Sequence, residues 1–202
     1  MRPSTDTVKL AIFASGRGSN AQKLVEYFWE HPLIEPVLIV TNNKNSGVLS
    51  ITKEYDIRKL IIAKEDFCDN NCMLDIFREE QVGLIILAGF LWKIPEFILS
   101  DYRNRIINIH PSLLPKYGGK GMYGENVHRA VLQSGDTVSG ITIHLVNEEY
   151  DQGKILFQKE CPVLPNDSPQ TLAGRIHQLE HQYFAKVIED YAKQIFSKNF
   201  SS

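Results

Sequence analysis

An amide and an imidazole stand one residue apart near the end of an apolar run, at Asn108 and His110 in the stretch IINIHPSLLPKYGG of residues 106–119. Because side chains alternate along a strand, the two share a face, with their Cα atoms roughly 7 Å apart. An amide N–H stabilises an oxyanion, and an imidazole donates or accepts a proton near neutral pH. The pair therefore predicts a catalytic site at the strand end, where Pro111 stops the ladder. The structural alternatives are a loop-capping amide and a core histidine with satisfied hydrogen bonds.

A glycine loop, ASGRGSNA at residues 14–21, lies between the first apolar run and the first helical pattern. A helix N-terminus at this point would offer N–H groups and a positive dipole end to a phosphate. The spacing resembles a dinucleotide fingerprint, but residues 40–43 read Val-Thr-Asn-Asn, without the carboxylate that a nicotinamide site needs. The loop also lacks the Lys-Ser/Thr pair of a Walker motif. We therefore expect a single phosphate here, with a tight structural turn as the alternative.

A carboxylate beside His110 would raise the pKa of the imidazole and fix its orientation. The segment of residues 147–153 supplies three candidates, Glu148, Glu149 and Asp151. Spacing alone does not choose among them, and charged residues in such a segment are most often a solvated turn.

The elements that must position these residues alternate between strand and helix. Apolar runs predict strands at residues 8–14, 36–40, 59–62, 83–88 and 105–110. Helical spacing predicts helices at residues 20–29, 48–55, 66–80, 125–133 and 171–196, and a short helix after Phe97. Strands that are apolar on both faces favour a parallel sheet covered by helices. The glycine loop and the Asn108–His110 pair both follow carboxyl ends of strands, so we expect them at the same edge of the sheet.

Two further strands, at residues 138–146 and 154–161, alternate with period two around a turn that contains Gly153. They predict antiparallel strands at one edge. The fold class is therefore α/β: a Rossmann-like, open, mostly parallel sheet with helices on both faces and antiparallel edge strands. No linker or repeat interrupts the chain, so we expect one domain over residues 1–202, with a disordered tail at residues 197–202.

Composition limits the classes of function. A formal net charge of −2 gives no basic excess to attract nucleic acid or an anionic membrane. The N-terminus has no long apolar segment, so we expect no signal peptide or membrane span and a cytoplasmic location. The three cysteines are too few and too scattered for a disulfide framework. We expect no metal site, although His128, His144 and the pair His177 and His181 are conceivable zinc ligands.

Several stretches, in this order along the chain, resemble the phosphoribosylglycinamide formyltransferase family, the folate-dependent formyltransferases of purine synthesis. They are SGRGSN at 15–20, LAGFLWKI at 87–94, NIHPSLLPKY at 108–117, HLVNEEYDQG at 144–153 and QLEH at 178–181. The stretch NIHPSLLP alone is shared with other users of formyltetrahydrofolate. Its combination with the glycine loop is more specific.

The resemblance implies formyl transfer from 10-formyltetrahydrofolate to the amine of phosphoribosylglycinamide, without a metal, and it implies three groups of site residues. The catalytic residues would be Asn108, His110 and Asp151, so that the resemblance, unlike the spacing, selects Asp151. The substrate-binding residues would be Gly18, Ser19, Asn20, Ala21 and Gln22 around the phosphate and Glu180 at the glycinamide end. The folate-binding residues would be Leu91, Trp92, Lys93, Ile94 and Asn108.

Two departures from the family stand out. Residues 118–127 form a glycine-rich version of a loop that is shorter in some relatives. Asn70 stands where some relatives carry an arginine that can meet the glutamate tail of the folate. Recognition of the tail would then fall to Lys93 or another lysine, or be weak.

Other functions compete with this one. A formyltetrahydrofolate hydrolase would be expected to carry a regulatory domain before Val8, and a methionyl-tRNA formyltransferase would carry a C-terminal barrel and bind tRNA. A non-catalytic regulator that binds a phosphosugar or a folate would not need the Asn108, His110 and Asp151 set. A nicotinamide oxidoreductase lacks its ribose-binding carboxylate. The expected partners are small-molecule substrates, not nucleic acid or membrane, and the sequence makes no prediction of the oligomeric state.

Overall fold

The computed structural model of the protein describes residues 7–67 and 70–197, apart from the side chains of residues 66, 70 and 71. The described residues form two compact units, one within Met1–Ile107 and Ile188–Ser202 and the other within Asn108–Val187. The expectation of a single domain over residues 1–202 stays a prediction. The predicted disordered tail lies outside the described residues, except for Ser197.

Seven strands and seven helices are assigned within the described residues. The strands are β1 (Val8–Phe13), β2 (Ile34–Thr41), β3 (Arg58–Ile61), β4 (Val82–Leu87), β5 (Ile106–His110), β6 (Val138–Leu145) and β7 (Ile155–Pro162). The helices are α1 (Ser19–Phe28), α2 (Val48–Glu54), α3 (Lys64–Phe67), α4 (Asn70–Glu79), α5 (Glu96–Asp101), α6 (Glu125–Ser134) and α7 (Pro169–Ile195).

The strands form one sheet in the order β3-β2-β1-β4-β5-β6-β7. β1 pairs in parallel with both β2 and β4, and β2 pairs in parallel with β3. β6 and β7 pair antiparallel at one edge. The predicted fold class, a mostly parallel sheet with antiparallel edge strands, is confirmed.

The first unit is organised by the apolar strands β1 and β4, whose residues are almost all buried. The ring of Phe13, at the end of β1, makes edge-on contacts with Phe77 and Phe90 at centroid distances of 6.1 and 5.2 Å. Edge-to-face pairs of this kind add to the stabilisation from buried apolar area. The carboxyl ends of β1 and β4 are therefore fixed by packing at the points where the glycine loop and the 88–94 segment begin.

The second unit is built on the β6–β7 pair. From Ser139 to Leu145, every residue of β6 is buried, whereas most of β7 is exposed, as expected for an edge strand. Gly140 is required where β6 approaches β7 closely, because a Cβ there would lie 2.1 Å from the carbonyl oxygen of Lys159. β6 is thus held tightly and carries Thr142 and His144 on one face.

The start of α7 is fixed by side-chain hydrogen bonds. Ser168 Oγ accepts from the Thr171 N–H at 3.2 Å, as an N-cap side chain does. Just before it, Asp167 binds Arg175 through both carboxylate oxygens, at 2.8 and 3.1 Å. Arg175 and the other hydrogen bonds to this carboxylate hold the pKa of Asp167 well below its usual range, although burial opposes them.

Most predicted elements match those of the structure to within two residues. The exception is the helix predicted over residues 66–80, where the structure has the two helices α3 and α4. Residues 68 and 69 lie outside the described part of the chain. Across the described residues, no helix combines the length and apolar character needed to cross a membrane.

Candidate active site

Asn108 at the end of β5 is oriented by His144 of β6. His144 Nδ1 lies 2.8 Å from the carbonyl oxygen of Leu145, which only accepts, so Nδ1 carries the proton. In the neutral ring, Nε2 is then an acceptor, and Asn108 Nδ2 donates to it at 3.1 Å. Asn108 keeps a second N–H on the same nitrogen for another acceptor. This geometry fixes which way the amide points.

His110 lies two residues further along β5, and only 3% of its surface is exposed. Its Nε2–H donates to the carbonyl oxygen of Tyr117 at 2.8 Å. Its Nδ1 faces Asp151 Oδ2 at 3.6 Å. Because the carbonyl requires a proton on Nε2, a proton on Nδ1 would make the ring an imidazolium between two acceptors. These two contacts therefore favour the charged form of His110.

Asp151 is the acidic residue that the structure brings to His110, whereas Glu148 and Glu149 are exposed. Its Oδ2 accepts from the Gly119 N–H at 2.9 Å, and its Oδ1 lies 3.6 Å from His144 Nε2. The carboxylate thus stands between two imidazoles and one backbone N–H. Geometry thus favours Asp151 among the three carboxylates that spacing left open.

Burial and charge act against each other on these groups. Burial lowers the pKa of His110, while Asp151 and the Tyr117 carbonyl raise it, and the net direction is down. Burial raises the pKa of Asp151, but His110, the Gly119 N–H and, when its Nε2 carries a proton, His144 bring it below its ordinary value. Asp151 is therefore ionised at neutral pH. The charge on His110 depends on Asp151 and on the Tyr117 carbonyl.

Two of the residues that form this site have a positive φ. Tyr117 and Asp151 both have a φ of 56°, in the left-handed region. Aspartate tolerates this region, whereas at tyrosine it costs roughly 1–2 kcal/mol. Tyr117 directs its carbonyl to His110 in this conformation, and Asp151 faces both histidines in its own. A positive φ at a bulky residue such as Tyr117 is found most often where function requires it.

A cavity of about 530 Å³ opens beside Asp151. It is lined by Leu114, Pro115, Gly118, Gly119, Tyr150, Asp151, Gln152, Gly153 and Ile155. Its size lies within the range of small-molecule sites, and its wall combines apolar side chains with a carboxylate and backbone groups. The lining of this cavity thus includes one of the expected catalytic residues, Asp151.

The glycine loop of the first unit is held by hydrogen bonds from residues 43–47. Ser46 Oγ and the Gly47 N–H both donate to the Gly16 carbonyl oxygen, at 2.7 and 3.1 Å. Gly18 caps α1 with φ at 83° and no side-chain hydrogen bond at the cap. The Gln22 N–H donates to the Gly18 carbonyl at 2.8 Å, so this backbone group of Gln22 is already used within the helix. Groups at positions 18–21 are better placed to meet an anion.

Replacing Gly18 with alanine is expected to destabilise the protein by about 1–3 kcal/mol. An alanine there would keep the left-handed φ, and its Cβ would lie 2.5 Å from Val48 Cγ1. The Gly16→Ala protein is the matched control, because a Cβ at Gly16 meets nothing within 4 Å. Urea unfolding of both variants measures the difference, and equal loss of stability in both would contradict the prediction.

The 91–94 segment is joined to the glycine loop through Ser15. The Leu91 N–H donates to Ser15 Oγ at 3.1 Å, and the Ser15 N–H donates to the Gly89 carbonyl oxygen at 3.1 Å. Leu91 is half exposed, and the Trp92 ring packs on Phe67 with centroids 5.7 Å apart. Ile94 is buried and Lys93 is exposed. Of the four residues proposed to hold the folate, Leu91 and Lys93 thus present the most surface. The side chain of Asn70, discussed above for the folate tail, lies outside the described residues.

Glu180 lies on α7 and is only 5% exposed. Its neighbours His177 and His181 stack with ring centroids 6.4 Å apart. Across residues 7–67 and 70–197, no group of three or more His, Cys, Asp or Glu side chains could hold a metal ion. The absence of a metal from the reaction stays a prediction.

His128 makes the stability of the protein depend on pH. It is buried in α6, and its Nδ1 has no hydrogen-bond partner. Burial, with a smaller effect from His177, lowers its pKa from 6.5 to about 4. Between these values the unfolded chain binds a proton that the folded chain does not. The free energy of unfolding should therefore fall by up to about 3 kcal/mol as the pH drops from 6.5 to 4.

The His128→Leu protein should lack this contribution, so its free energy of unfolding should fall less between pH 7 and pH 4. Denaturant unfolding at a series of pH values measures the difference. His177→Leu, at an exposed position, removes only the smaller of the two effects on His128 and should keep most of the wild-type pH dependence. A His128→Leu protein with unchanged pH dependence would show that His128 titrates normally in the folded state.

Sequence reasoning considered His144 only as a conceivable zinc ligand or a supporting residue, and it gave no site role to Tyr117 or Gly119. The alternation along β6 offered a signal for His144, because it places a polar ring at the end of an otherwise buried strand. Tyr117 and Gly119 contribute backbone groups, which no side-chain pattern reveals. Their positions become visible only when the 111–119 segment is seen to turn back onto His110 and Asp151.

The chain is similar to a known protein family and to several named proteins. The family model described as "Formyl transferase" matches residues 8–188. The chain is 42% identical over 186 residues to a protein of Arabidopsis thaliana named phosphoribosylglycinamide formyltransferase, chloroplastic. The alignment covers 89% of this chain and 64% of the plant protein, so the chain spans less than two thirds of that relative. A Haemophilus influenzae protein of the same enzyme name is 31% identical, with 90% of this chain and 85% of that protein covered.

Two solved structures also match the chain. The crystal structure of a phosphoribosylglycinamide formyltransferase from Anaplasma phagocytophilum matches with a TM-score of 0.84 and 32% identity. The alignment covers 93% of this chain and 88% of that one. A glycinamide ribonucleotide transformylase from Symbiobacterium toebii matches with a TM-score of 0.86 and 26% identity, over 95% and 90% of the two chains.

Proposed function

We propose that this chain, which belongs to the formyl transferase family, is a phosphoribosylglycinamide formyltransferase of de novo purine biosynthesis. It transfers the formyl group of 10-formyltetrahydrofolate to the amine of 5-phosphoribosylglycinamide. The products are formylglycinamide ribonucleotide and tetrahydrofolate. The observation that carries the proposal is the geometry at the end of β5, where His144 orients the Asn108 amide and Asp151 faces the His110 ring.

The chemistry proposed for this site is acyl transfer to an amine. The folate supplies the formyl group and leaves through its nitrogen. Asn108 has a second N–H on Nδ2 that can stabilise negative charge on the formyl oxygen, and a protonated His110 adds positive charge beside it. His110 also moves a proton towards the departing nitrogen. Asp151 favours the imidazolium and helps to relay protons through a water.

The proposal assigns a binding role to each of three groups of residues. Gly18, Ser19, Asn20 and Ala21 at the start of α1 bind the phosphate, and Glu180 binds the glycinamide end. Gln22 was expected among the phosphate ligands, but its N–H is used by Gly18 and its side chain donates to Glu26 at 2.9 Å. Gln22 would then support the phosphate site by stabilising the first turn of α1. Leu91, Trp92, Lys93 and Ile94 line the folate site, with Asn108 at its reacting end.

The test follows the absorbance of the released folate when purified protein is mixed with a 10-formyl folate, with and without phosphoribosylglycinamide. We expect release only when the amine substrate is present, and formylglycinamide ribonucleotide among the products. Release without any amine would replace the proposal with hydrolysis of the folate. Binding of both ligands without turnover would favour a non-catalytic regulator.

The proposal also covers the partners and the cellular location of the protein. We expect small-molecule substrates as the partners and a cytoplasmic location, although the Arabidopsis relative is named as chloroplastic. Fractionation of the source cells, followed by detection of the protein, would decide the location.

A further inference from the structure

The segment of residues 111–119 supplies two backbone groups to the site. The Tyr117 carbonyl accepts from His110 Nε2–H, and the Gly119 N–H donates to Asp151 Oδ2. The side chain of a residue does not set the orientation of its own backbone carbonyl or N–H group. Their positions depend on whatever holds the segment in place, which makes its anchors relevant to the chemistry.

One anchor is the hydroxyl of Thr142 on β6, which is fully buried. It donates to the Ser112 carbonyl oxygen at 2.7 Å and accepts from the Leu114 N–H at 3.0 Å. It also accepts from Gln158 Nε2 at 2.9 Å. A hydroxyl has one donor and two acceptor sites, so all three are used.

Gln158 on β7 completes this arrangement. Its Nε2 also donates to the Leu114 carbonyl oxygen at 3.0 Å, so the amide nitrogen makes two hydrogen bonds. Both polar backbone groups of Leu114 are thereby held by side chains from the two edge strands. Leu114 lies midway between His110 and Gly118, so its position affects the path of the backbone between them.

The network continues towards the site. Ser112 Oγ donates to the Lys116 carbonyl oxygen at 2.8 Å, one residue before Tyr117. The Tyr117 hydroxyl donates to Asp136 Oδ2 at 2.8 Å, which holds that side chain on the far side of the segment. Gln158 is the member of this network that lies on the exposed strand, away from the reacting groups.

We propose that Gln158 is a positioning residue for the reaction: through Leu114 and Thr142 it fixes the segment that brings the Tyr117 carbonyl to His110 and the Gly119 N–H to Asp151. This rests on the proposed function. Gln158 itself touches neither His110 nor Asp151. Its loss would leave the buried Leu114 carbonyl without its donor while Thr142 still binds Ser112 and Leu114, so the fold should persist with a looser segment.

The experiment compares Gln158→Met, which removes the amide at similar length, with Glu160→Met, two residues along the same face of β7. We expect the Gln158→Met protein to lose about 10- to 100-fold in kcat, with a smaller change in KM for phosphoribosylglycinamide. Glu160→Met should keep wild-type rates. The pH dependence of kcat should also shift for Gln158→Met, because the Tyr117 carbonyl would no longer support the charged ring.

A second readout needs no activity. NMR titration of the His110 ring in the free protein, with Asp151, His144 and His128 left in place, should give a lower midpoint in Gln158→Met than in wild type. Thr142→Val should behave like Gln158→Met, and Thr142→Ser, which keeps the hydroxyl, should recover most of the wild-type behaviour. The double variant Gln158→Met/Thr142→Val should lose less than the sum of the two single losses.

Unchanged kcat and an unchanged His110 titration in Gln158→Met would overturn the proposal. So would lower thermal stability alone, which would indicate a purely structural contact. If the wild-type protein transfers no formyl group, the proposed function fails, but the His110 titration still decides whether Gln158 positions the ring. If Gln158→Met does not fold, the Thr142→Val and Thr142→Ser pair decides in the same way.

Discussion

The His110→Ala protein should transfer the formyl group about 1,000-fold more slowly than wild type at saturating substrates. A positioned acid or base typically contributes 10²- to 10⁴-fold, and loss of one stabilising charge at an oxyanion has an effect of similar size. The ring is held at Nε2 by a 2.8 Å hydrogen bond to the Tyr117 carbonyl, and its Nδ1 faces Asp151 Oδ2 at 3.6 Å. A water that enters the space left by the ring would have neither its charge nor its orientation. The loss should appear in kcat more than in KM, because the interaction develops during the reaction.

The measurement is the steady-state rate of folate release with phosphoribosylglycinamide present. His177→Ala removes an imidazole at an exposed position of α7 and serves as the control. Thermal unfolding of each variant checks that the fold is kept. A His110→Ala protein with more than a tenth of the wild-type kcat would remove His110 from the mechanism.

The sequence was sufficient to predict the sheet because strand and helix signals are local. The apolar runs of β1 and β4 are buried on both faces, which is the pattern that distinguishes a central parallel strand from an edge strand. The sequence of β7 has mixed polarity, and this strand forms one edge of the sheet. The helix predicted over residues 66–80 corresponds to α3 and α4, and the residues between these two helices lie outside the described part of the chain.

The site was harder to predict, since it depends on contacts between residues far apart in the chain. Asn108 and His110 were found because they share a strand face. The carboxylate could not be chosen from spacing, because Glu148, Glu149 and Asp151 lie within four residues of one another. Only the turn that gives Asp151 a φ of 56° brings its side chain to the histidines. The roles of the Tyr117 and Gly119 backbone groups could not be read from residue types at all.

The Asp151→Asn protein should lose about 100-fold in kcat near neutral pH, and its activity should persist only at lower pH than in wild type. Asparagine suits this position, because it tolerates a positive φ better than most residues and keeps an oxygen for the Gly119 N–H. The substitution therefore removes the charge while it preserves the backbone. Without that charge, burial alone dominates at His110, and the pKa of the ring falls further.

The direction of the pH effect follows from the protonation state that the mechanism requires. If the imidazolium is the active form, the rate is retained below the pKa of His110 and lost above it. Lowering that pKa moves the descending limb of the kcat profile to lower pH, so the loss in the variant should shrink as the solution is made more acidic. Glu149→Gln removes an exposed charge from the same turn and should leave the profile in place. A descending limb that stays at the wild-type pH in Asp151→Asn would mean that Asp151 does not control the charge of His110. The ring would then owe its activity to the Tyr117 carbonyl.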